Sequence, residues 1–390
     1  MRDDKTRTCL SVVLAYHASL LLLAMPLPAA AAIFGIGDSE KVAIEVAALD
    51  EPGQVGDMAL SPDGRYLAAD PWGNGTTDIW DLKAKKIVHT IPIGGTGTDR
   101  GIVRFSPDGH LLAICHNSRM NDPKRVVIDV FDAETWQTIH QVEDSIDKDG
   151  SGASCRMIAF SGDGKLLIRV INTSSAKDDN DVIFYDTSSW TVVGGLRTPI
   201  VIAESLAVQP KGKLMAISGQ RINPSIDSLP REEKFKIGNI FIGESIVADT
   251  STNAIVRTIK AHAGMLTWSP DAIHLAIGDA KAQAVRIFNS NTGDESFAAN
   301  AGSYKILLQY TADGKYLIEA GNKQVKIWDA QRQNLRQTIS ADPYCMALSA
   351  DGRYLALGGS SNSILDATPL LSLFTHPNGP AGKIIVYQLK

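Results

Sequence analysis

The sequence predicts an all-β fold: a seven-bladed β-propeller of four-stranded antiparallel blades, its ring closed by the N-terminal strand pairing with the C-terminal blade. Three observations carry that prediction. A turn motif first seen as Ser61-Pro62-Asp63-Gly64 returns six times, around Asp108, Asp163, Lys211, Asp271, Asp313 and Asp351. Each copy is followed by a segment ending on an apolar residue and usually Asp, as in Trp80-Asp81, Phe131-Asp132, Tyr185-Asp186 and Trp328-Asp329. Finally, the last copy is followed by one strand-like stretch only, Lys383 to Leu389, while an unclaimed one, Lys41 to Ala48, precedes the first. A repeat of about 40 to 60 residues is the size of one propeller blade.

Within a copy the chain reads strand, tight turn, strand. Pro presets φ at the first turn position, Asp can bond nearby backbone, and Gly takes the positive φ that closes a short bulged hairpin. Ahead of the turn, apolar residues stand five and three positions before the Asp or its equivalent, as in Met58 and Leu60, Ile158 and Phe160, or Leu266 and Trp268. The position between them is mostly small: Ala59, Ala159, Ala207, Thr267 and Ala347. Large-small alternation suits a period-two strand with both faces covered by neighbouring sheets. Arg104 and Gln309 depart from it and read either as satisfied buried polar groups or as residues lining the axial channel. A third strand follows, then a short turn and a fourth, as in Lys86 to Ile91. In the fifth copy Ala272 stands where the turn wants Gly, so a different turn is expected there. The seventh copy lacks a fourth strand, and residues 41 to 48 are expected to supply it beside 383 to 389, which removes an exposed edge.

Over essentially the whole chain after residue 40 this pattern resembles the WD-repeat β-propellers. Trp80-Asp81 and Trp328-Asp329 match the dipeptide that names the family, and Lys260-Ala261-His262-Ala263-Gly264 is a remnant of its Gly-His element. Most other copies lack the Gly-His, so the family's hydrogen-bonded tetrad of His, Ser/Thr, Asp and Trp is expected to be incomplete. The resemblance implies a binding platform, since such propellers mostly hold other proteins.

At 390 residues the chain would ordinarily be divided into domains, but a propeller absorbs that length in one ring. With 44% hydrophobic and 21% charged residues it reads as an ordered globular protein. A net charge of −5, with no basic block, argues against nucleic acid as a partner. Residues 1–31 read as a secretory signal: Arg2, Lys5 and Arg7 give a positive start, Leu10 to Leu23 an apolar run, and Ala29 to Ala32 a small-residue cleavage region. Residues 32–40 are a short linker and 41–390 the propeller, with no membrane span in the mature chain and a periplasmic or extracellular location expected. Cys9 would leave with the signal. The remaining Cys115, Cys155 and Cys345 fall in different blades, and stacked sheets lie ~10 Å apart, so disulfides are not expected as a framework.

Function on a rigid scaffold resides in its loops. The two longest insertions, Gly219 to Ser245 and Gly358 to Gly382, both fall on the face opposite the repeated turn, and the second carries Leu370 and Phe374. On the same face the ring mouth should present Asp57, Arg100, Arg156, Glu204, His262, Lys305 and Tyr344. A mixed-charge mouth of this kind can hold a peptide or a small polar ligand. Motifs for haem, zinc proteolysis, a nucleophile elbow or a phosphate loop are absent from the sequence, and no cofactor is expected. Asp144 to Ser151 has the oxygen-rich start of a calcium loop, but Arg156 stands where the closing Glu belongs, so it reads as a solvated acidic loop. The expected function is a non-catalytic scaffold for an unidentified protein partner. The alternative is a propeller enzyme of the lactonase or hydrolase type, with a metal or polar site at the channel mouth.

Overall fold

The computed structural model describes residues 41–93, 101–117, 126–144, 155–171, 181–226, 229, 240–261, 264–303, 305–360 and 381–390. The expected leader and linker lie outside the described residues, as do Arg100, His262, Leu370, Phe374, residues 145–151 of the acidic loop and most of the second insertion.

Seven antiparallel sheets of four strands each form the ring. The first strand, β1 (Ala43–Glu51), is built into the last blade. Blade one is β2 (Val55–Leu60), β3 (Tyr66–Pro71), β4 (Thr76–Asp81) and β5 (Lys86–Pro92). Blade two is β6 (Ile102–Phe105), β7 (Leu111–Asn117), β8 (Val126–Asp132) and β9 (Thr138–Asp144). Blade three is β10 (Cys155–Phe160), β11 (Leu166–Ile171), β12 (Val182–Asp186) and β13 (Val192–Leu196). Blade four is β14 (Ile202–Val208), β15 (Leu214–Ile222), β16 (Phe241–Asp249) and β17 (Ala254–Ile259). Blade five is β18 (Leu266–Trp268), β19 (His274–Asp279), β20 (Ala284–Asn289) and β21 (Glu295–Asn300). Blade six is β22 (Leu307–Tyr310), β23 (Tyr316–Gly321), β24 (Gln324–Asp329) and β25 (Asn334–Ser340). Blade seven joins β26 (Cys345–Leu348), β27 (Tyr354–Ser360) and β28 (Gly382–Leu389) to β1.

The recurrent turn is held by a local network that explains its sequence. In five blades the Ser or Thr hydroxyl at its start donates to the turn Asp over 2.5–2.7 Å, and Ser269 and Asp271 make the same bond in blade five. The same carboxylate oxygen accepts the amide two residues on, as Asp163 does from Lys165 at 3.1 Å. The Ser161 hydroxyl, opposed by partial burial and helped by the Lys165 amide, holds the Asp163 carboxyl below its ordinary range. Blade four, with Lys211 in place of Asp, uses Gln209 instead, whose Oε1 accepts the Leu214 amide at 3.3 Å.

Blade five corrects one expectation. Ala272 makes the same turn as glycine does elsewhere: its amide donates to the Ser269 carbonyl at 2.9 Å and its φ is +64°, beside +70° at Gly64. The hydroxyl-carboxylate network fixes the turn and Ala bears the strain. Ala272→Gly should therefore stabilise the protein by about 1 kcal/mol. A denaturation midpoint that stays put or falls would show an unstrained turn.

Third and fourth strands are linked by a second recurrent turn. An Asp or Asn closing the third strand caps it, as Asp132 accepts the Thr135 amide at 2.7 Å. The fourth residue after this cap takes positive φ at Lys85, Trp136, Trp190, Asn253, Gly293 and Gln333, so glycine serves there in blade five alone among these six. Every fourth strand then carries one extra residue, opposite the last apolar side chain of the third: Val46, Val88, Ile139, Val193, Val256, Ser296 and Arg336. Such bulges sharpen the local twist of an edge strand.

The core lies between blades, because alternate residues of each strand face opposite neighbours. One cluster joins Ile168 and Phe184 of blade three to Met215, Ile217 and Ile246 of blade four. Another joins Leu49, Cys345 and Ile384 of blade seven to Val55, Leu67 and Trp80 of blade one. Ring closure is as the sequence predicts: β1 runs antiparallel to β28 from Ala43↔Leu389 to Glu51↔Gly382.

Cys115, fully buried on β7, is disulfide-bonded, which corrects the expectation drawn from stacked sheets. Blades converge toward the axis, and β7 packs there against β10, so the face-to-face separation of sheets is no guide to strand distance near the ring centre. Cys345 is a buried thiol whose Sγ donates to the Val55 carbonyl at 3.8 Å.

Candidate functional site

The face opposite the repeated turn is built from the starts of the inner strands, the blade-to-blade links and the connections between second and third strands. Seven residues ahead of the turn Asp or its equivalent, the inner ladder slips in three blades, leaving Gly56, Arg156 and Glu204 as extra residues. A bulged residue is turned out of the ladder, and Arg156 and Glu204 are exposed. Tyr344 holds the same offset in blade seven and is 40% exposed. Glu204 Oε1 accepts from Gln220 Nε2 at 2.8 Å. Lys305 sits one residue further out than that offset in blade six, and its Nζ stands 4.4 Å over the Tyr344 ring, joining blades six and seven by a cation-π contact.

Asp57 does a different job. It is half-buried one position deeper, and Oδ2 accepts the Val103 amide at 3.0 Å and Arg104 Nη1 at 2.7 Å. It therefore ties blade one to blade two, and Arg104, read from sequence as a channel or buried residue, is its half-exposed partner. Ser205 makes the matching tie from blade four to five, its Oγ accepting the Leu266 amide at 3.0 Å. The structure thus brings Arg156, Glu204, Lys305 and Tyr344 to the face and takes Asp57 into the scaffold.

The feature that sequence reasoning missed is in blade four. Gly219 to Ser245 reads as a loop, yet β15 and β16 extend to nine residues each and stay in register out to Ile222↔Phe241. Second and third strands of blade one have six. The extension is stiffened by Arg221, whose Nη1 lies 3.0 Å from both carboxylate oxygens of Glu244, a charge-assisted bond. Beyond it, Asn223 Oδ1 accepts the amide and hydroxyl of Ser225 and starts a short 3-10 turn, Pro224–Ile226. Phe241 stands at the far end, 43% exposed. The signal available in the sequence was the aromatic and β-branched content of Phe241, Ile242 and Ile246, which suits an outward continuation of the third strand.

Buried polar groups lie beneath this face. The Trp-Asp tryptophans both donate to glutamates: Trp80 Nε1 to Glu51 Oε2 at 2.7 Å and Trp328 Nε1 to Glu319 Oε2 at 2.9 Å. Lys326 Nζ neutralises Glu319 at 3.2 Å. In blade two, His116 Nε2 lies 2.8 Å from Asp129 Oδ2, and Asp129 Oδ1 accepts from Gln141 Nε2 at 2.5 Å. Among the described residues no group of three or more His, Cys, Asp or Glu side chains is placed to hold a metal ion.

Fold and face together define a seven-bladed β-propeller that carries a stiff hairpin on one side of its ring. The chain matches no protein-family model and no curated protein.

Proposed function

We propose that this is an exported, WD-repeat-like propeller acting as a non-catalytic scaffold that holds a protein partner on its insertion-bearing face. The observation that carries the reading is the blade-four strand pair: it runs nine residues against six in blade one, Arg221 and Glu244 brace it, and its described ladder ends on an exposed Phe241. A preordered strand pair presenting an aromatic side chain loses little conformational freedom on binding, and aromatic residues are common anchors at interfaces. Glu204 lies on the same blade and Arg156 on the blade before it, both exposed, and they add polar groups to this face. Export is supported by the charged and apolar start of the chain and by the disulfide at Cys115, since such bonds persist in oxidising compartments.

The test is a photo-crosslinking residue at Asn223 in intact cells. A discrete adduct is expected, and Phe241→Ser on the same chain should abolish it while leaving the melting curve unchanged. An adduct indifferent to Phe241→Ser, or steady turnover of a small ester by the purified protein, would overturn the scaffold reading, and turnover would favour a hydrolase.

A further inference from the structure

Glu51 is the last residue of the closing strand and pairs with Gly382 of β28. It is 2% exposed, and its side chain crosses the seam into blade one, where Trp80 holds one oxygen. The other oxygen, Oε1, is buried and meets no hydrogen-bond donor. What stands within hydrogen-bonding reach of Glu51 is the carboxyl of Asp78, itself 4% exposed. Asp78 Oδ1 is occupied by the Thr90 hydroxyl at 2.6 Å. Two carboxylates are acceptors only, and in a buried seam they repel unless one carries a proton.

The charged groups around the pair do not relieve this. β3 adds Asp70, another buried carboxyl, whose charge disfavours ionising Glu51. Asp57 on β2 is taken up by Arg104. Lys383 of β28 pairs with the exposed Asp50 at 3.1 Å, and Lys85 Nζ donates to the Val46 carbonyl at 2.8 Å. Among the described residues no cation pairs with Glu51 or Asp78. The seam matters because blade seven is completed by a strand from the other end of the fold, held by its ladder and side chains alone.

We propose that a proton shared between Glu51 and Asp78 latches the ring between blades seven and one, and that losing it loosens the closing strand. With the proton in place the facing oxygens make an O–H···O bond that complements the Trp80 bond; without it two charges face each other where water is excluded. Burial, then the hydrogen bond with Asp78, keeps the Glu51 carboxyl protonated up to about 9, against an ordinary 4.5. The folded seam therefore binds one proton more than the open chain across that window. Closure is strongest on the acid side, weakens as pH rises, and levels off above the folded value, the opening constant rising about tenfold per pH unit in between.

Amide hydrogen exchange on the full mature protein tests this, after correction for intrinsic exchange. From pH 6 to 8, protection of β1 and β28 should fall about tenfold per unit, while β11 and β15 hold theirs. Glu51→Gln keeps an acceptor for Trp80 and gives Asp78 a donor, so its β1 protection should be flat with pH. Asp78→Asn, which offers an ionised Glu51 an amide donor, should reduce the slope and serves if the first variant fails to fold. Wild-type β1 protection that does not change between pH 6 and 8 would overturn the latch, as would either variant keeping the full wild-type slope.

Discussion

Deleting residues 43–51 while retaining residues 1–42 should leave the ring without cooperative melting, or lower its Tm by more than about 15 °C. The strand contributes Ala43, Ala47 and the 2%-exposed Leu49 to two core clusters and pairs with β28 along its length. Burial of one leucine is worth roughly 2 to 3 kcal/mol, and each ladder bond about 1 kcal/mol net. The sum is on the order of 10 kcal/mol, which is comparable with the whole stability of a typical domain. The loss also uncovers the outer edge of β28, a buried and mostly apolar strand. A peptide of residues 43–51 in excess should restore part of the transition. An unchanged melting curve for the deletion would mean that the last blade stands on three strands, and the closure argument would fall.

Phe184→Ala should cost about 4 kcal/mol, at the upper part of the range for large-to-small core changes. Phe184 is 1% exposed and sits between blades three and four against Met215, Ile217 and Ile246. Across the sheet it pairs with Gly194, and a β-carbon there would lie 3.1 Å from the Phe184 ring and 2.9 Å from Asn253. The aromatic ring thus fills volume that its cross-strand partner leaves open, and alanine would leave a cavity no neighbour is free to enter. Urea denaturation at constant m-value reads the loss, and Phe184→Leu should recover more than half of it. A shift below about 1 kcal/mol would show that the two blades can close over the gap.

The architecture was legible because its punctuation is local. Ser61, Pro62, Asp63 and Gly64 specify a turn by their own chemistry, and seven copies specify the number of blades. The closing strand was legible by subtraction, since Lys41 to Ala48 had no hairpin of its own. The face was less so. Whether Asp57 or Gly56 is the extra residue depends on a one-residue slip in the ladder, and a bulge leaves no fixed side-chain signature. Ala272 shows the converse case, in which a residue that resists positive φ is held there by the Ser269–Asp271 bond. The bridge at Cys115 depends on how closely inner strands converge, a distance set by the ring as a whole. Phe241 was missed because an unpaired insertion and a paired extension differ in register and not in composition.

The extra residue in each outer strand bears on how the molecule behaves in company. Seven blades give seven outward strand edges, and at four of them the displaced residue is an exposed aliphatic: Val88, Ile139, Val193 and Val256. A flat rim of that makeup would template fibrils by zipping onto the rim of another copy. Because every rim carries a bulge within its first four residues, a docking strand finds no unbroken ladder along the whole edge. The backbone of each rim therefore works against edge-to-edge zipping between copies.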